Sequence, residues 1–111
     1  MMFKKELLDL VLSGRKTQTR RLHSRLLRVG HVYAIQVSRV KSTGYYIKIT
    51  KVYHQKLGDV SEDEAVKEGF DNLEEFKETW IRISGSWDSE MEVVVYEFEL
   101  SDPPPKQSKL S

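Results

Sequence analysis

Phe3, Leu7, Leu10 and Val11 fall at the i, i+4, i+7 and i+8 spacing of an amphipathic helix, and Gly14 behind Ser13 is placed to end it. From Val32 to Ser38 and from Tyr45 to Tyr53 the pattern changes to period two, with Tyr33, Ile35 and Val37, then Tyr45, Ile47 and Ile49. These segments predict strands, and the turn composition of Lys41-Ser42-Thr43-Gly44 between them predicts a hairpin. Ser61-Glu62-Asp63-Glu64 fits a capping box, so a short helix is expected from Ser61 to about Glu68. Asn72 can cap another, in which Leu73, Phe76, Trp80 and Ile83 form an apolar stripe that Gly85 ends. From Glu92 to Leu100, Val94, Tyr96, Phe98 and Leu100 share one face of a closing strand. Strands separated by short helices predict an α+β fold, a small, partly open mixed β-barrel with helices at its rim.

The 111 residues suit one domain over residues 1–101. Asp102-Pro103-Pro104-Pro105 cannot continue a strand, and residues 102–111 are expected to form a disordered, Pro-rich polar tail. The absence of cysteine removes disulfides and thiolate chemistry and makes a reducing cytoplasm the expected compartment. No signal peptide is read at the amino terminus, and no run of about 18 apolar residues suggests a membrane span. A lone Asn with many Lys and Glu resembles a thermophile's composition.

The net charge of +1 conceals an asymmetry. Residues 1–51 carry 12 Lys/Arg against 2 carboxylates, whereas residues 52–111 carry 6 against 15, so the halves stand at +10 and −9. Two readings follow. Either the first half presents a basic face to a phosphate-bearing partner, or the halves pack together and their charges interleave.

Gly14-Arg15-Lys16-Thr17-Gln18-Thr19-Arg20-Arg21 places four cations and two threonines directly behind a helix end. In a regular strand Lys16 and Thr19 would face opposite ways, so a site shared by both requires a bend. Lysine supplies a mobile charge, threonine a donor, an acceptor and a latent nucleophile, and arginine a planar fork for phosphate. The alternative is a solvated basic strand.

The spacing Gly14-x-Lys16-x-x-Thr19-x-Arg21 behind an amphipathic helix resembles the signature of the ASCH family (activating signal cointegrator homology), which is similar to the PUA fold. The likeness continues through Val29-Gly30, the strand Ile47 to Val52, Lys67-Glu68-Gly69-Phe70 and the closing Tyr96 to Leu100. His31 departs from the pattern, standing where the family often has an acidic residue. The resemblance implies a β-barrel with a basic, polar cleft for RNA or a nucleotide. Some small relatives are amidohydrolases that remove the acetyl group from N4-acetylcytidine with a lysine, a threonine and a glutamate; another is described as a ribonuclease. By motif position these three residues correspond to Lys16, Thr19 and Glu68. No cofactor is implied.

Threonine becomes a nucleophile only when a base takes its proton, and lysine can be that base only if its pKa falls well below about 10.4. The neighbouring Arg15, Arg20 and Arg21 push in that direction. Glu68 is placed to shuttle a proton to the leaving amine or to activate water, although it is also one of seven carboxylates between Asp59 and Glu74 and could lie on a helix surface. Arg15, Lys16, Arg20, Arg21, Arg25 and Arg28 are the expected nucleic-acid contacts. Trp87, which lies outside any periodic pattern, is expected to stack on a base. Trp80, on the helical stripe, is expected in the core. His23, His31 and His54 have no metal-ligand spacing, and no phosphate-binding glycine loop is present.

Overall fold

The computed structural model describes residues 1–22, 26–38 and 40–104. In chain order it contains α1 (Lys5–Leu12), β1 (Gln18–Arg21), β2 (Val32–Gln36), β3 (Ser42–Lys56), a 3-10 turn (Leu57–Asp59), α2 (Glu62–Lys67), α3 (Leu73–Ser84) and β4 (Glu92–Ser101). The strands form a four-stranded antiparallel sheet in the order β1-β4-β3-β2, and Met2 adds a parallel bridge to Gln36. The α+β class is as expected, but the sheet is open rather than a barrel, with β1 and β2 as its edges.

β4 occupies the sheet's interior, between β1 and β3, and both of its faces are buried. Val94, Tyr96 and Phe98 join Phe3, Val11, Ile35, Ile47 and Ile49 in one apolar cluster. Val93 and Val95 point the other way, into a second cluster with Leu57, Val60, Ala65, Phe70 and Phe76. Period two alone identified the first face. The second follows because helices also cover the reverse side, and a strand buried on both faces reads as a continuous apolar run.

α2 begins on the expected capping box: Ser61 Oγ accepts from the Glu64 amide, and the Glu64 carboxylate accepts from the Ser61 amide, each at 3.1 Å. Asn72 caps α3, which ends at Gly85 in the left-handed conformation. Three boundaries differ from expectation. α1 begins at Lys5, so Phe3 precedes it; the Phe3 amide bonds the Gln36 carbonyl at 3.0 Å and its ring still joins the core. Ser42, Thr43 and Gly44 belong to β3, with Thr43 Oγ1 bonded to the Ile35 carbonyl at 2.9 Å, so the β2–β3 connection lies earlier than the turn composition suggested. Gln18–Arg21 forms a strand although it has no apolar alternation.

The charge asymmetry resolves largely by interleaving. Across β3 and β4, Lys48 stands opposite Glu99 and Lys51 opposite Glu97. Arg15 pairs with Asp71, Lys16 with Glu68, and Arg20 with Glu64 and Glu68, each a contact between the basic and the acidic half. The expected tail from residue 105 onward lies outside the described residues.

Candidate active site

Among the described residues, the buried polar and charged side chains are Lys16, Gln18, Thr19, Arg20 and Glu68. They come from one short stretch around β1 and from the end of α2. Burying ionic groups is costly unless each finds partners, so such a concentration requires a compensating network.

The chain builds that network locally. After α1, Gly14 turns the backbone with φ of 82°, and Lys16 lies in an irregular segment in which its amide bonds the Leu10 carbonyl at 2.9 Å. Thr17 then ties the segment to Lys67 through its amide and to Phe98 through its carbonyl. Strand alternation starts only at Gln18, which supplies the bend a joint Lys16–Thr19 site requires. Glu68 is the C-cap of α2, and Gly69 follows with φ of 102°. A Cβ at Gly69 would lie 3.2 Å from the Lys16 Cβ and 3.1 Å from Leu10 Cδ1, so glycine serves both the turn and the close approach.

Lys16 Nζ has three acceptors: Glu68 Oε1 at 2.6 Å, the Gln18 carbonyl at 3.0 Å and the Glu68 carbonyl at 3.2 Å. Arg20 donates Nε to Gln55 at 3.0 Å, Nη1 to Gln18 Oε1 at 3.0 Å and to Glu68 Oε2 at 2.8 Å, and Nη2 to Glu64 at 2.9 Å. Glu68 is therefore gripped on one oxygen by lysine and on the other by arginine. Burial lowers the Lys16 pKa and Arg21 and Arg20 add to the effect, while the charge and hydrogen bond of Glu68 resist it. Burial alone would raise the Glu64 carboxyl; bonds from Ser61 and Gln55 and the charge of Arg20 outweigh it and hold the group below its ordinary range.

Thr19 and Arg21 share the other face of β1. Arg21 Nε donates to Thr19 Oγ1 at 3.3 Å, Arg21 Nη2 to the Met2 carbonyl at 2.7 Å, and the guanidinium lies 5.1 Å from the Phe3 ring centre. Lys16, Thr19, Arg20, Arg21 and Glu68 all line one cavity of about 500 Å³. Phe70, Phe76 and Trp80, from the segment after α2 and from α3, add aromatic lining to the same cavity. Thus the lysine, threonine and glutamate singled out in the sequence converge.

The expected nucleic-acid contacts do not converge in the same way. Arg20 is committed to carboxylates and amides through four bonds, so it orders Glu68 rather than offering a fork to phosphate. Arg15 is exposed and paired with Asp71 at 3.0 Å, and Arg28 is exposed away from the cavity lining. Arg25 lies outside the described residues. Trp87 does not line the cavity; it packs edge-on against Phe76 with Lys77 Nζ 5.3 Å from its ring centre. Trp80, expected in the core, packs on Phe76 and also lines the cavity. Thr79, Trp80 and Ile83 continue the Phe76 face at i+3, i+4 and i+7, so one helical stripe serves core and cavity together. That spacing was the available signal, and it does not distinguish the two uses. No group of three or more His, Cys, Asp or Glu that could hold a metal occurs among the described residues.

A family model described as ASCH domain matches residues 1–102. Among solved structures, the chain is similar to an ASCH domain from Lactobacillus crispatus JV V101, at 24% identity and a TM-score of 0.72, covering 83% of this chain and 68% of that one. A protein from Enterococcus faecalis V583 is 28% identical with a TM-score of 0.65, covering 87% and 68%. The ASCH protein of Zymomonas mobilis shares 14% identity and a TM-score of 0.65, covering 92% and 65%. No curated protein matches the chain at a significant level.

Proposed function

Because the chain belongs to the ASCH domain family, and because three buried groups meet at one cavity, we propose that it hydrolyses the N-acyl amide of a nucleoside-sized molecule, with N4-acetylcytidine as the representative substrate. The observation that carries this reading is the buried Lys16–Glu68 pair at 2.6 Å, which opens on the cavity that Thr19 lines. A volume of about 500 Å³ lies within the roughly 300–1,000 Å³ of small-molecule sites. The RNA or nucleotide partner implied by the basic half narrows here to a nucleobase and its sugar. A groove for a long polynucleotide would need its cations side by side, and several of them are paired with carboxylates instead.

In this mechanism burial favours the neutral amine of Lys16, which takes the Thr19 hydroxyl proton as Oγ attacks the acyl carbon. The C–N bond breaks as the Lys16 ammonium gives that proton to the departing amine. Water then attacks the threonine ester and gives a proton to Glu68, which relays it through Lys16 to the Thr19 oxygen as the ester C–O bond breaks. The products are the amine and the carboxylic acid, and the protein returns to its initial state. Arg21 on the cavity wall supplies positive charge for the oxyanion that forms in each step.

Incubation with N4-acetylcytidine tests the reading. Chromatography should show cytidine and acetate released in equal amounts; unchanged substrate after prolonged incubation at high protein concentration would contradict it.

A further inference from the structure

A second cleft, of about 540 Å³, lies beside the cavity and shares two of its walls, Lys4 and Ile83. Its other lining residues are Lys5, Glu6 and Arg82. Arg82 Nη1 meets Glu6 Oε1 at 2.8 Å, and both side chains are about half exposed. Among the described residues neither Lys4 nor Lys5 pairs with a carboxylate. The cleft thus holds three cations against one acid, and it has no aromatic wall of the kind the inner cavity offers a base. Whereas Lys16 and Arg20 are drawn inward to carboxylates, these stand outside, at the wall the cleft shares with the inner cavity.

We infer that the outer cleft binds a phosphate carried on the ribose of the ligand whose base lies in the inner cavity, so that the preferred substrate is a nucleotide rather than a nucleoside. The inference rests on the hydrolase reading. With the acylated base at Lys16, Thr19 and Glu68, the sugar extends toward the shared wall, and a phosphate on it meets Lys4, Lys5 and Arg82. Lysine ammonium groups suit this task because they act as point charges without demanding one orientation. A free nucleotide and an RNA strand carry the same phosphate chemistry.

Kinetics on N4-acetylcytidine, its 5′-monophosphate and a dinucleotide with the same base test this. The monophosphate should show a KM about tenfold below that of the nucleoside at low salt, the size expected of one or two exposed charge contacts, and the gap should shrink as salt rises. A gain with the dinucleotide would identify a phosphodiester as an accepted source and also support the inference. The Lys5→Ala/Arg82→Ala variant, whose changes lie outside the catalytic cluster, should lose the phosphate advantage while turning over the nucleoside normally. Equal KM values for all three substrates in the wild-type protein would overturn the phosphate site and leave the hydrolase reading intact. Failure to hydrolyse any of the three would overturn both.

Discussion

Arg20→Leu is expected to destabilise the fold by about 3–5 kcal/mol, the usual cost of removing one partner from a buried ionic network. The side chain is fully buried and joins Glu68, Glu64, Gln18 and Gln55. Leucine would leave one Glu68 oxygen without its 2.8 Å partner and Glu64 without the guanidinium that links α2 to β1. Arg20→Lys keeps the charge but cannot span four acceptors, so it should fall between the two. Urea unfolding followed by circular dichroism measures the difference. A loss below about 1 kcal/mol would assign Arg20 the modest worth of an exposed pair and remove its role in ordering Glu68.

The second large effect concerns Lys16. Lys16→Met preserves length and apolar bulk but removes the base, so turnover should fall by orders of magnitude, while Glu68 keeps its 2.8 Å bond to Arg20. In the wild-type protein only the neutral amine accepts the threonine proton, so the rate should rise with pH through the Lys16 pKa. Burial places that midpoint below the ordinary lysine value of 10.5. A pH–rate profile is the check, and a rise centred at or above 10.5 would show that burial does not tune this lysine.

Much of this architecture is legible in the sequence because it rests on local rules. The Ser61 capping box, the Asn72 cap, the α3 stripe and the α1 stripe from Leu7 onward appear where spacing places them, while Phe3 joins the core from the extended segment ahead of α1. β1 was legible only as a solvated basic strand, one of two readings, since Gln18–Arg21 contains no apolar residue to announce that it is buried. It is held by pairing to β4 and by side chains whose partners arrive from residues 53–68 and from β4. The convergence of Lys16 with Glu68, 52 residues apart, was reached through motif resemblance; composition alone favoured a surface carboxylate. Trp87, outside any periodic pattern, carried no signal of the Phe76 ring it packs against, whereas Trp80 packs on Phe76 as its stripe position predicts and lines the cavity as well. Periodicity reports which way a side chain faces, but whether that direction ends in a core or a cavity depends on what stands opposite.

The central claim is that Thr19 is the nucleophile of an amide hydrolase, and acetate release from N4-acetylcytidine by the wild-type, Thr19→Ser and Thr19→Ala proteins, each verified as folded, tests it most directly. Serine retains a hydroxyl and should retain measurable turnover. Alanine should lower the rate by orders of magnitude, far beyond the roughly 0.5–1.5 kcal/mol that loss of one binding hydrogen bond would cost. A folded Thr19→Ala protein that releases acetate within about tenfold of the wild-type rate, the most that such a hydrogen bond accounts for, would contradict the account.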